Sequence, residues 1–169
     1  KISFDLWEER KGWHFYTRMV QLKFLKDIIS VNKYLKLEEK LFQKIKGVLN
    51  NLYHSLEDHI SENDDGKYII SSFDQSGKII KYEDSANLLA YCHIDFDKDI
   101  VQKYPLEYIL HTSNNLISYF SKKYNDPDNI CIGRYIDDKY YNGHAWIICT
   151  ISLAQVYIEL YKERNKIIK

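Results

Sequence analysis

The chain has 169 residues, 24 basic and 24 acidic, with no formal net charge, and 45% of it is hydrophobic. That is enough chain for one domain with a real core. Charge balance without a basic stripe argues against a nucleic-acid surface, and the lack of an apolar run of about 18 residues argues against a membrane-spanning helix.

The elements read mostly as helices. Phe15, Met19, Leu22, Phe24, Leu25 and Ile28 fall at helical spacing and predict a helix over about 14–30. A second amphipathic stretch, about 37–60, sets Leu41, Ile45, Val48, Leu49, Leu52 and Leu56 on one side. Glu38, Glu39, Lys40, Lys44 and Lys46 mostly form its solvated face. Ser61 to Gly66 closes it as a polar turn, whose acidic residues lack the spacing of a calcium loop. Tyr68-Ile69-Ile70 and Lys78-Ile79-Ile80-Lys81 read as short strands around a Gln75-Ser76-Gly77 turn.

Asp84 or Ser85 can cap a helix over about 86–94. Pro105 suits the first turn of another, about 105–122. A long loop, about 125–145, then leads into a final helix from about Trp146 to Arg164. No linker or repeat divides the chain. Long and short helices alternating through irregular loops predict stacked helical hairpins, an all-α fold. The last helix runs towards Lys169 without a capping signal, which suggests truncation.

Cys92, Cys131 and Cys149 have no metal-like spacing, and their odd number favours buried thiols over a disulfide framework. With no Asn-x-Ser/Thr acceptor, they lean towards an intracellular or bacterial setting. The six histidines form no metal-ligand pattern, and no Gly-rich phosphate loop or nucleophile elbow is present. Aromatics make up 15% of the chain, 15 of them Tyr. Compositional bias accounts for that figure; a carbohydrate-lined cleft is the sharper reading.

Asp5-Leu6-Trp7-Glu8-Glu9 carries the chemistry. It sets two neighbouring carboxylates against an indole. Sugars are handled by such groups: an acid for the bridging oxygen, a carboxylate for hydroxyls, and an aromatic face for the apolar side of a pyranose. The second chemical stretch is the long loop from Gly133 to Trp146. Loops longer than about 12–15 residues are usually functional or disordered, and this one is rich in aromatics. Arg134 offers a planar fork of donors, Asp138 can orient it, and Trp146 can form a wall.

Together the two stretches resemble the glucoamylases, glycoside hydrolase family 15. Asp5-Leu6-Trp7-Glu8-Glu9, Gly12 and Phe15-Tyr16-Thr17 resemble that family's catalytic-acid segment. Gly133-Arg134-Tyr135, Asp138, Tyr141-Asn142-Gly143 and Trp146, running on to Ala154, Gln155 and Tyr157, resemble its second signature. Ser85-Ala86-Asn87-Leu88-Leu89 followed by His93 is similar to a weaker segment. The resemblance implies part of an (α/α)6 barrel, with residues 1–169 as a partial catalytic domain cut at both ends.

The family releases glucose from the non-reducing ends of α-glucans with inversion. By resemblance, Glu8 is the general acid. Trp7, Glu9, Arg134, Asp138 and Trp146 bind substrate. An acid beside an indole is expected to lose solvation and stay protonated near neutral pH.

Inversion needs a second carboxylate roughly 6.5–9.5 Å away, which adjacent Glu8 and Glu9 cannot supply to each other. In the family that base lies on a later loop, beyond Lys169, so the 169 residues alone are expected to be inactive. Ile136-Asp137 stand where the family usually has Pro-Glu, and His144-Ala145 where it has Asn-Pro. Loss of the Pro is expected to loosen the loop before Asp138. The expectation is a monomer acting on an α-glucan, without cofactor, metal, nucleic acid or membrane. A non-catalytic barrel serving as a regulatory or binding scaffold, as in the large subunits of phosphorylase kinase, is the alternative.

Overall fold

The computed structural model describes residues 2–128 and 130–167. Lys1 and Lys169, on which the expectation of truncation rests, lie outside them. The described residues form helices α1 (Phe15–Leu35), α2 (Glu39–Glu57), α3 (Ala86–His93), α4 (Lys98–Lys103), α5 (Leu110–Tyr124) and α6 (Ile147–Ile167). The strands are β1 (Ser3–Phe4), β2 (Lys11–His14), β3 (Ile60–Asn63), β4 (Gly66–Ile69), β5 (Ser72–Phe73) and β6 (Ile79–Lys81). Short 3-10 turns cover Leu106–Ile109 and Tyr140–Gly143. No described helix is long and apolar enough to cross a membrane.

Helix α3 is the centre of the packing. Every residue from Ala86 to Tyr91 is buried, between α1 on one side and α6 on the other. Phe15, Met19 and Leu22 meet it from α1, and Cys149, Leu153, Val156 and Leu160 join the same core from α6. The α1 reading thus holds, except that Phe24 points to solvent at 62% exposure. Helix α2 packs on the outside of α1. Of its predicted apolar side only Leu56 is fully buried, while Leu41 and Val48 are exposed.

Helix α6 exposes Ile147, Ile148, Ile151, Ile158 and Tyr161 as well. A helix apolar on nearly all sides is built for burial on more than one of them. Of the cysteines, Cys149 is buried as expected, but Cys92 is half-buried and Cys131 exposed.

The strands serve the loops. An antiparallel sheet in the order β1-β2-β5-β6 pairs Ser3 with Gly12 and Trp13 with Phe73. Its β1-β2 hairpin presents residues 5–10. Lys11 to His14, for which the sequence predicts no strand, is extended because β5 lies close. A Cβ on Gly12 would stand 2.2 Å from the Phe73 carbonyl oxygen, so only glycine lets the strands meet there. The predicted helix over 37–60 stops at Glu57, and a separate β3-β4 hairpin follows.

Helix α4 was not predicted. Its six residues are too few for a periodic signal, and the Asp97 carboxylate caps it by accepting from the Asp99 and Ile100 amides at 3.2 and 3.3 Å. Pro105 opens the 3-10 turn that precedes α5 rather than α5 itself.

His59 is fully buried between the rings of Phe15 and Phe73. Its Nδ1 donates to the Ile70 carbonyl at 2.7 Å. Burial drives its pKa down to about 3. A neutral buried His stabilises the fold fully above its unfolded pKa of about 6.5, and loses that contribution as pH falls towards the folded value. In His59→Asn the amide can replace the Nδ1 donor but does not titrate. Below pH 6.5, wild type is expected to lose up to about 1.4 kcal/mol per pH unit relative to this variant, read from denaturant melts of the full-length protein.

Candidate active site

The 5–10 loop is shaped by one carboxylate. Asp5 Oδ1 accepts the Glu9 amide at 2.9 Å and the Arg10 amide at 3.4 Å, while the Glu8 amide donates to the Asp5 carbonyl at 3.1 Å. The chain is thereby turned tightly enough that Glu8 takes a left-handed backbone, φ 59°. A non-glycine residue pays for that conformation, which persists only where its surroundings enforce it. Glu8 ends at the loop tip, exposed, and among the described residues its carboxylate takes no hydrogen bond or ion pair. The desolvation expected from Trp7 is therefore not provided by these residues.

Glu9 diverges from Glu8, as adjacent residues must. Its Oε1 receives Arg134 Nη2 at 2.8 Å, and its Oε2 receives the Tyr135 hydroxyl. Arg134 is the hub. Nε and Nη2 donate to the two Asp138 oxygens at 2.8 and 2.7 Å, a bidentate pair with both side chains almost fully buried.

Burial opposes the arginine's charge, but the Asp138 and Glu9 bonds overcome it and raise its pKa above the usual arginine range. Burial likewise opposes ionisation of Asp138, and the Arg134 bonds outweigh it, holding the carboxyl below its ordinary value. Both Asp138 oxygens face the guanidinium.

Four rings surround that guanidinium. Its carbon lies 5.4 Å from the Trp7 ring, 5.3 Å from Tyr135, 4.8 Å from Tyr140 and 5.5 Å from Trp146. Trp7 and Trp146 are 6.1 Å apart, centroid to centroid. Residues far apart in sequence thus form one wall, with Nη1 of Arg134 taking no hydrogen bond among the described residues. Of the residues singled out from sequence, Trp7, Glu9, Arg134, Asp138 and Trp146 converge here, and Glu8 stands at the edge.

The second loop is tied to α5 at two points. The Asp137 amide donates to the Tyr119 hydroxyl at 3.1 Å, and Tyr124 donates to the Gly143 carbonyl at 3.1 Å. Asp137, Tyr141 and Asn142 hold left-handed backbones. His144 is an exposed surface residue.

Sequence reasoning missed the layer beneath. Lys81 Nζ donates to Asp5 Oδ2 and to Asp84 Oδ2, both at 3.1 Å, and sits 3.6 Å from the Tyr135 ring centroid. Asp84 Oδ1 accepts the Trp7 indole N–H at 2.9 Å and the Ala86 amide at 2.8 Å. The side-chain cap on α3 thus comes from Asp84, one residue before the Ser85 N-cap, while Ser85 donates to Cys149 Sγ at 3.1 Å. The available signal was a lysine closing a strand three residues before an aspartate.

Residues 1–168 match the model of glycosyl hydrolases family 15. The chain is 27% identical over 173 residues to the glucoamylase of Blastobotrys adeninivorans, covering 90% of this chain and 26% of that protein. It is 28% identical over 159 residues to an uncharacterized glycosyl hydrolase of Methanocaldococcus jannaschii, covering 94% of this chain and 23% of the relative. With glucoamylase S2 of Saccharomyces cerevisiae it shares 25% over 180 residues, 94% of this chain and 23% of that protein.

The structure of a glucoamylase from Saccharomycopsis fibuligera superposes with a TM-score of 0.73 at 23% identity, over 92% of this chain and 35% of that one. The fold is accordingly part of an (α/α)6 barrel. The chain spans about a quarter of the length of these curated relatives.

Proposed function

Since the chain belongs to glycosyl hydrolase family 15, we infer that its two loops form part of the cleft of an inverting glucosidase that releases glucose from the non-reducing ends of α-glucans. The carrying observation is the contrast between the two glutamates. Glu9 is locked to Arg134, whereas Glu8 is left exposed at a strained loop tip beside the aromatic wall.

A proton donor must reach the glycosidic oxygen, so it needs a free carboxyl on a fixed support. A sugar-gripping arginine must keep its charge and its direction, and Asp138 with Glu9 supplies both. Nη1 is then the donor left for a sugar oxygen, with Trp7 and Trp146 against the pyranose faces. Substrate itself removes water from Glu8 when it closes over the loop, which supplies the missing desolvation.

The general base belongs to the opposite side of the cleft, in the rest of the protein. No carboxylate among the described residues is assigned that part, so residues 1–169 alone are expected to release no glucose. The uncovered apolar side of α6 suits a barrel whose other helices lie outside this stretch.

The test is a panel of maltose, isomaltose, trehalose and dextran presented to the full-length protein, with glucose assayed. Release from one or more of them is expected. Binding of these sugars without any release would favour the non-catalytic scaffold.

A further inference from the structure

Among the described residues Glu8 has no side-chain anchor, so its place in the cleft depends on how the 5–10 loop is tied to the rest of the wall. Two ties are present. One is direct: Glu9 to Arg134 and Tyr135. The other runs underneath. Asp5 shapes the loop with one oxygen and gives the other to Lys81. Lys81 gives a second hydrogen bond to Asp84.

Asp84 holds the Trp7 indole, and the Ser85 amide beside it donates to the Arg134 carbonyl at 2.7 Å. All three charged groups are almost entirely buried, at 7%, 7% and 1% exposure for Asp5, Lys81 and Asp84. One ammonium thus joins the loop bearing Glu8, the indole beside it and the segment bearing Arg134.

We propose that Lys81 is a positioning residue, whose ammonium fixes the Glu8 loop at its working distance from the Arg134 wall. It rests on the hydrolase reading given above for the part Glu8 plays, but not for the clamp itself. The two ties divide the labour. Arg134 keeps Asp138 whether or not Lys81 is present, so the arginine's own grip on sugar survives its loss. Glu8 and Trp7 lose their reference point, because Asp5 and Asp84 become two buried carboxylates with no cation between them. Such a pair repels or takes up a proton, and in either case the loop moves.

The experiment compares Lys81→Met with Lys81→Arg in the full-length protein, using kcat and KM on the best glucoside together with fluorine NMR of fluorotryptophan-labelled enzyme. The Trp7 line is assigned by its disappearance in Trp7→Phe. For Lys81→Met, kcat is expected to fall on the order of 10–100-fold, the cost of misplacing a catalytic group by about an ångström, with KM rising by a smaller factor as Trp7 shifts on the sugar face. The Trp7 line should shift. Lys81→Arg should restore most of kcat and return the line towards its wild-type position.

Should Lys81→Met fail to give a cooperative melt, Asp5→Asn carries the same test, since it keeps the loop's acceptor oxygen and removes the ion pair. Unchanged kcat overturns the proposal, and so does an unmoved Trp7 line. If wild type hydrolyses none of the sugars, the hydrolase reading fails, and the Trp7 line alone still decides whether the clamp exists.

Discussion

Glu8→Gln is expected to lower kcat of the full-length protein by roughly 10²–10⁴-fold while leaving KM nearly unchanged, which is what removing a general acid costs. The side chain keeps its length and shape, and the amide cannot donate a proton to the leaving oxygen. Glu8 is exposed and its carboxylate takes no hydrogen bond or ion pair among the described residues, so the fold should not notice the change. Its left-handed backbone is set by Asp5, not by its own carboxylate. Equal melting temperatures for the two proteins would separate lost chemistry from lost structure. Steady-state kinetics on maltose or the preferred glucoside reads the result.

The second large effect falls on stability. Arg134→Met removes one member of a buried bidentate pair and leaves Asp138 charged with no cation. Breaking such a pair costs about 3–5 kcal/mol, and denaturant melts should show it. Glu9 and Tyr135 also lose their anchor, so kcat/KM should collapse together with the midpoint. Arg134→Met with Asp138→Leu is the informative control. With both charges gone, much of the stability should return, since a buried pair and an apolar substitute of similar volume are often comparable. Activity should not return. If the single variant were as stable as wild type, the pair would lie in water rather than in the wall.

The helical scaffold was legible because α1, α3, α5 and α6 are long or strongly apolar enough to show a period. What failed were elements set by contacts distant in sequence. Lys11 to His14 became a strand because β5 lies against Gly12, which nothing near position 12 announces. Leu41 and Val48 have helical spacing yet stay exposed, since periodicity gives a face and not what covers it.

In the site, Trp7, Glu9, Arg134, Asp138 and Trp146 could be named because their types match the family's pattern. Lys81 could not, because its role exists only once Asp5 and Asp84 are brought to it from two directions. Adjacency in sequence does not make the indole a shield for Glu8 either: Trp7 gives its N–H to Asp84, while Glu8 is exposed among the described residues.

The most direct test of the central claim is the anomeric form of the first glucose released, followed by proton NMR before mutarotation. A proton donated by Glu8, with water delivered from a carboxylate across the cleft, yields β-glucose from an α-glucan, and Glu8→Gln should nearly abolish it. Initial α-glucose would mean a covalent intermediate and two closely spaced carboxylates, and would contradict the account.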